Sequence, residues 1–435
     1  MKIVNKIRNS DITVDAPPSK AHTLRALIIS SLANGKSTIY EPLFGQDQRN
    51  VIECLKRLGV KIRFDPFDKL RAGKLTTGEQ QGDKLIIAGT GGKYTPINDE
   101  LDVGESGVGM NFLTSATCLS DKPIVITGSK RITERPIREV VEGLRQLGCK
   151  IDYLEKEGFP PVRVYGGGIK GGTAQIRGSK TSQYFSSIVI SSPYADNKVT
   201  LKCVDEMTEK PYFDISLQMM AEFGATAKNS DYKRIEIPKG RYSAREITIE
   251  GDYSSASFFF LAGAICKAKV TVRGLRADTK QGDKAFLTLI EKMGCEVSEA
   301  NGGICVQGRK LSAIEQDMSN LPDLVPPLAI AAAFAKGESR LTNIGHLRDK
   351  ECDRLAVMAS ELVKMGVAAR CEESSLIIKG SGKIHGARID PHNDHRIAMS
   401  FAVAGLATGE QSIDKEMCVA KSFPDFWEKF EVFSE

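Results

Sequence analysis

The chain has 435 residues, too long for one hydrophobic core and suited to two domains. With 60 Lys and Arg against 55 Asp and Glu, the net charge of +5 gives no case for a nucleic-acid partner, and no basic tail or run of like charge appears. Hydrophobic content is 41% and charged content 26%, as in ordinary soluble proteins; ten scattered Cys without C-x-x-C pairs read as reduced thiols, several of them buried (Cys118, Cys203, Cys266, Cys305), and not as disulfides or a zinc site.

One unit recurs along the chain: an apolar helix-like run, a short strand, a second helix, a Gly and another strand. The first apolar run is TLRALIISSLANG at 23–35, followed by STIYEPL and a helix ending LKRLGVKI at Gly59. The second is GMNFLTSATCLS at 109–120, followed by PIVITGS and LRQLGCKI at Gly148. The third, SQYFSSIVISSPYA at 182–195, leads through KVTLKCV to MMAEFGATA at Gly224. The fourth, SASFFFLAGAICKA at 255–268, leads through KVTVRGL to LIEKMGCEV at Gly294. The fifth, LVPPLAIAAAFAKG at 324–337, leads through ESRLTNI to LVKMGVAA at Gly366. The sixth, HRIAMSFAVAGLATG at 395–409, leads through EQSIDKEM to SFPDFWEKF at 422–430, where the chain stops. Gly just past a helix suits the left-handed cap conformation. Copies roughly seventy to ninety residues apart are too long for solenoid repeats.

The six runs are apolar nearly all round, so they need complete burial. None reaches the roughly 18 apolar residues that a bilayer span needs, which excludes a membrane protein of that kind. Six buried helices, shielded by strands and amphipathic outer helices, predict an α/β protein of two globules with three units each. The start, MKIVNKIRNSDITVD, lacks the apolar core of a secretion signal, and a cytoplasmic location is expected.

Chemistry-bearing residues gather at the helix starts. Ser19, Lys20 and Arg25 surround the first, GESG at 104–107 precedes the second, and Thr181, Ser182 and Gln183 open the third. GDYSS at 251–255, Asp323 and NDHR at 393–396 precede the others. Ser, Thr, Asp and Asn there serve as N-caps. Cations such as Lys20, Arg25 and Arg396 oppose the helix dipole unless an anion lies between them and the helix end. Further charges fall at unit junctions: Arg131 and Arg135 in RITERPI, Arg348, Lys350, Glu351 and Arg354 in LRDKECDR, and Lys421. Lys350 and Arg354, four apart, also fit a surface ion ladder flanking Glu351. His395 beside Asp394 fits either a base dyad or a helix cap.

Taken in order, the motifs PPSKAHTLRAL, GESGVGM, RITERPI, TSQYF, EKPYFDISL, EGDYSSASFF, LPDLVPPLA, LRDKECDRL, NDHRIAMSF and AKSFPDF resemble the 5-enolpyruvylshikimate-3-phosphate synthase family over essentially the whole chain. The resemblance implies the two-domain enolpyruvyl transferase fold, each domain three βαβαββ units whose helix starts face an interdomain cleft. It implies an N-terminal domain at 19–249 on the shikimate-phosphate side, and a second domain of 1–18 with 250–435 on the phosphoenolpyruvate side. The implied reaction moves the enolpyruvyl group of phosphoenolpyruvate to the 5-hydroxyl of shikimate 3-phosphate by addition and elimination, with no metal or other cofactor. The implied partners are these two small molecules alone, for a monomer.

Residue by residue, Lys20 matches a phosphoenolpyruvate contact that also reaches the acceptor and is a candidate proton donor. Gly107, Arg131, Gln183, Arg354, Arg396 and Lys421 match the remaining phosphoenolpyruvate site. Arg25, Thr181, Ser182, Gln183, Tyr212, His346 and Lys350 match the shikimate 3-phosphate site. Asp323 matches the base at the 5-hydroxyl, and Glu351 a proton-relay carboxylate. The sequence departs from the family pattern at Ala21, where Ser is frequent, at Asn111 for Arg, at Glu209 for Ser, and at Glu105 and His346 for Asn. One cation fewer and one or two acids more bear on the acceptor phosphate above all. The alternatives are an enolpyruvyl transferase with a related acceptor, such as UDP-N-acetylglucosamine, and a silent homologue that binds a phosphorylated metabolite. Ala21 after Lys20, with TSQ, KPY and NDHR, favours shikimate 3-phosphate over the first. Lys20, Asp323, Glu351 and Arg396 favour an enzyme over the second.

Overall fold

A computed structural model describes residues 1–65, 83–380, 382 and 384–433. The chain forms two compact units, Pro18–Glu250 on one hand and Met1–Pro17 with Gly251–Glu435 on the other. Each unit has its own hydrophobic core, and no core residue is shared.

Among the described residues, five of the six small sheets have four strands in the same order, and the sixth has three. In the second, Glu100–Asp102 runs parallel to Ile124–Thr127, which pairs antiparallel with Val162–Val164, which pairs antiparallel with Ile151–Tyr153. The inner helix Gly107–Ala116 joins the first two strands, and the outer helix Arg138–Gln146 leads to the last two. The outer helix is amphipathic and buries Val140, Val141 and Leu144. It ends because Leu147 leaves helical geometry and Gly148 adopts φ 87°, a conformation that costs a β-carbon-bearing residue about 1–2 kcal/mol. The corresponding Gly59, Gly224, Gly294 and Gly366 all have positive φ as well, so the helix–Gly–strand reading holds throughout.

The inner helices are Lys20–Leu32, Gly107–Ala116 and Gln183–Ser191 in one unit, and Tyr253–Cys266, Val325–Phe334 and His395–Thr408 in the other. The three of the second unit pack on one another; in the first unit, Gly107–Ala116 packs against both others. Every residue of Tyr253–Cys266 except Cys266 is buried, which a run apolar on all sides requires. Among the described residues no helix is long and apolar enough to cross a membrane. Cys266 is half-buried rather than buried, because it is the last residue of its helix.

First strands are exchanged between repeats. Asp11–Asp15, which precedes the helix Lys20–Leu32, pairs in parallel with Lys269–Arg273. Glu246–Thr248, which precedes Tyr253–Cys266, pairs in parallel with Lys36–Tyr40. The sixth sheet is completed from the opposite chain end. Among the described residues no strand follows its parallel pair Arg388–Ile389 and Gln411–Ile413, and Lys2–Val4 pairs antiparallel with Gln411–Ile413 in that place. The short helix Phe426–Phe430 is held by aromatic contacts of Phe426 with Phe258 and Phe423.

Candidate active site

In the unit Met1–Pro17 with Gly251–Glu435, the starts of the three inner helices converge on one array of charges. Asp394 caps His395–Thr408, its Oδ1 accepting from the Arg396 amide at 2.9 Å. Its other oxygen, Oδ2, accepts from Arg354 Nε at 2.8 Å. Arg354 opens the helix Arg354–Lys364, whose cap is Asp353, so Glu351 lies before the helix and not on its face. The Lys350–Arg354 surface ladder is therefore not formed. Arg354 is 1% exposed and turns inward, with Nη2 at 2.9 Å from Glu351 and Nη1 at 3.4 Å from Asp323. Asp323, in the turn before Val325–Phe334, also pairs with Arg396 Nη2 at 2.7 Å. Arg396 Nη1 donates to Ser254 at the start of Tyr253–Cys266. Lys421 closes the array at 3.1 Å from Glu351. Asp323, Glu351, Arg354, Arg396 and Lys421 are thus brought together. His346 and Lys350, both buried, lie in and just after the short turn Gly345–Asp349, in the segment that leads to Glu351.

Three cations here face three carboxylates. Burial alone would lower the pKa of Arg354, but the charges of Asp394, Glu351 and Asp323 outweigh it and raise the pKa above its ordinary value. An array neutral in sum, with buried cations, suits the exchange of its carboxylates for a ligand anion.

In the unit Pro18–Glu250 the helix starts carry fewer acids. Ser19 caps Lys20–Leu32, and Lys20 Nζ lies 2.7 Å from the buried Asp47 carboxylate. Arg25 is buried, donating to Ser216 Oγ at 2.7 Å, the Tyr212 carbonyl at 2.7 Å and the Ala21 carbonyl at 3.0 Å. Its guanidinium lies over the Phe112 ring. Burial lowers its pKa to about 10, so it stays charged at neutral pH. Tyr212 meets Arg25 here through its backbone carbonyl.

Ser106 caps Gly107–Ala116. Asn111, where the resemblance leads one to expect Arg, donates from Nδ2 to the Gly107 carbonyl at 3.0 Å and to Gln183 Oε1 at 3.2 Å. It thereby ties the second helix start to the third. Its Oδ1 is buried and has no hydrogen-bond partner among the described residues. Thr181 donates to the Glu209 carboxylate, and Ser182 Oγ donates to the Glu209 carbonyl at 2.9 Å.

RITERPI resolves into two different environments. Arg131 is a third exposed and pairs with Glu134 at 3.6 Å. Arg135 stands at Gly107, where an added β-carbon would fall 2.5 Å from its Nη1. The guanidinium at the Gly107 helix start is that of Arg135, whereas the resemblance points to Arg131. Both occur in one heptapeptide, and only the approach to Gly107 separates them. Of the six inner helices, Ser19, Ser106, Asp252 and Asp394 supply side-chain caps, whereas Gln183–Ser191 and Val325–Phe334 have none.

A family model for EPSP synthase (3-phosphoshikimate 1-carboxyvinyltransferase) matches residues 4–430. The chain is 41% identical over 422 residues to the 3-phosphoshikimate 1-carboxyvinyltransferase of Methanoregula boonei, covering 96% of both chains. It is 38% identical over 419 residues to that of Vibrio cholerae, covering 96% of this chain and 95% of the other. Among solved structures it resembles an EPSP synthase from Acinetobacter baumannii with a TM-score of 0.80 and 26% identity, covering 99% of this chain and 97% of that one.

Proposed function

The chain belongs to the EPSP synthase family, and on that premise we propose that the charged array of the unit Met1–Pro17 with Gly251–Glu435 receives phosphoenolpyruvate. The reaction is the transfer of the enolpyruvyl group of phosphoenolpyruvate to shikimate 3-phosphate, in the shikimate pathway to aromatic amino acids. The observation that carries this assignment is the neutral array of Arg354, Arg396 and Lys421 with Asp323, Glu351 and Asp394.

Phosphoenolpyruvate brings a phosphate and a carboxylate, and the three cations supply its counter-charge. As the ligand takes Arg396 and Lys421, Asp323 and Glu351 lose cationic partners and become stronger bases. Asp323 then accepts the proton of the acceptor 5-hydroxyl as that oxygen bonds to C2 of phosphoenolpyruvate, while a proton is delivered to the methylene carbon, C3. Lys20, held by Asp47, is the donor this reading assigns to C3. Elimination follows: the C2–O bond to phosphate breaks and a proton leaves C3, restoring the enol double bond. Glu351, paired with both Arg354 and Lys421, relays that proton in this reading. Gly107 and Arg135 take the phosphate of phosphoenolpyruvate against the free N–H groups of the helix start. Arg25, Thr181, Ser182, Gln183, Tyr212, His346 and Lys350 hold shikimate 3-phosphate. The protein works as a cytoplasmic monomer in this reading.

Phosphate release from phosphoenolpyruvate, followed with shikimate 3-phosphate, shikimate and UDP-N-acetylglucosamine as acceptors, tests the reading. Release with shikimate 3-phosphate alone is expected. Comparable release with either other acceptor would sink the acceptor-site assignment.

Gly107→Ala is expected to raise the KM for phosphoenolpyruvate on the order of tenfold, the cost of displacing one charged donor. The added β-carbon displaces the Arg135 guanidinium and not backbone, so the melting temperature should stay near that of the wild type. An unchanged KM would detach Arg135 from the phosphate.

A further inference from the structure

We propose that Glu209 is a specificity-determining residue of the acceptor site, whose carboxylate sets a negative charge against the acceptor phosphate and holds the Thr181 hydroxyl proton that would otherwise bind it. This rests on the reading of Thr181, Ser182 and Gln183 as the place of that phosphate.

Glu209 is 2% exposed and is held at φ 58°, in the left-handed region, immediately before the helix Lys210–Glu222. That conformation is uncommon for a residue with a side chain and persists only where its surroundings impose it. The surroundings here are the Thr181–Ser182 turn. Thr181 Oγ1 donates to Glu209 Oε2, and Ser182 Oγ donates to the Glu209 carbonyl at 2.9 Å. A hydroxyl carries one proton. While these bonds stand, neither hydroxyl can donate to a phosphate. Ser182 shows the effect locally: it occupies the cap position of Gln183–Ser191 yet makes no side-chain cap bond.

The carboxylate adds charge repulsion to this loss of donors. A phosphate dianion at the turn would sit within a few ångströms of a buried carboxylate, where screening by water is weak. Binding of shikimate 3-phosphate therefore has to turn Thr181 and Ser182 away from Glu209 and overcome its charge. The acceptor without its phosphate meets neither cost.

Steady-state kinetics of the full chain decide the matter, with Glu209→Gln and Glu209→Asp run beside Ser182→Ala. Glu209→Gln keeps the shape and removes the charge. The KM for shikimate 3-phosphate is expected to fall on the order of tenfold, with the KM for phosphoenolpyruvate and competitive inhibition by shikimate unmoved. Glu209→Asp keeps the charge and should produce no such fall. An unchanged or raised KM for shikimate 3-phosphate in Glu209→Gln overturns the proposal. Should that variant fail to fold, Glu209→Ala carries the same test with the same reading. Ser182→Ala separates the two levels of the argument. If it raises that KM while Glu209→Gln leaves it alone, only the role of Glu209 is lost; if it leaves the KM alone, the acceptor-site reading falls as well.

Discussion

Asp323→Asn is expected to lower kcat roughly a thousandfold, within the range that a positioned general base supplies, while phosphoenolpyruvate binds as well as before or better. The geometry separates the two effects. Asp323 bonds to Arg396 at 2.7 Å and to Arg354 at 3.4 Å, so in this array it offsets two cations. Asn keeps the size and one acceptor oxygen but removes the charge. The array then carries one net positive charge, which favours an incoming anion. What it loses is a group able to take the proton of the 5-hydroxyl. Single-turnover phosphate release would report the rate, and isothermal titration with phosphoenolpyruvate the affinity. A near-wild-type rate removes Asp323 from the role of base; a collapse of affinity in step with the rate would make it a structural support for Arg396 instead.

The fold was readable because its repeat is written in two residue patterns that physics constrains tightly. A helix apolar on all sides must be buried, and all but the last residue of Tyr253–Cys266 is. A helix that stops and reverses into a strand favours Gly, and the five Gly at those stops have positive φ. Pairing was less readable, because alternation fixes which face of a strand is buried but not its neighbour. Nothing local in Lys2–Val4 shows that it pairs with Gln411–Ile413 in the sixth sheet.

The site divides in the same way. Helix starts rich in Ser, Asp and cations were visible as a recurrence, and their convergence within each unit follows from the shared repeat geometry. The choice between near neighbours was not visible. Arg131 and Arg135 lie in one short motif, and the difference is that Arg135 approaches Gly107 while Arg131 pairs with Glu134. Lys350 and Arg354 have the spacing of a helical ion ladder, but the Asp353 cap starts the helix at Arg354 and turns that side chain into the core. Asn111 read as a lost cation, yet it bridges two helix starts through a single amide nitrogen.

Arg354→Met is expected to cost about 3–5 kcal/mol of stability, the range seen when one member of a buried ionic network is removed and its partners remain. Arg354 is 1% exposed, and its carboxylate partners stand at 2.8, 2.9 and 3.4 Å. Met roughly matches its length and restores the packing, so a cavity contributes little. The cost comes from the carboxylates left behind. Asp323 retains Arg396, and Glu351 retains Lys421. Asp394 retains the amides of the helix it caps but loses the Arg354 guanidinium while fully buried. Arg354→Lys keeps a charge but not the fork that reaches three acids at once, so an intermediate loss is expected. Urea unfolding followed by far-UV circular dichroism measures both variants. A loss below about 1 kcal/mol for Met would mean that relief from desolvating the guanidinium cancels its ionic bonds. The array would then be retained for anion binding alone. A large loss for Met with a smaller one for Lys would show that the charges awaiting phosphoenolpyruvate also hold this unit of the fold together.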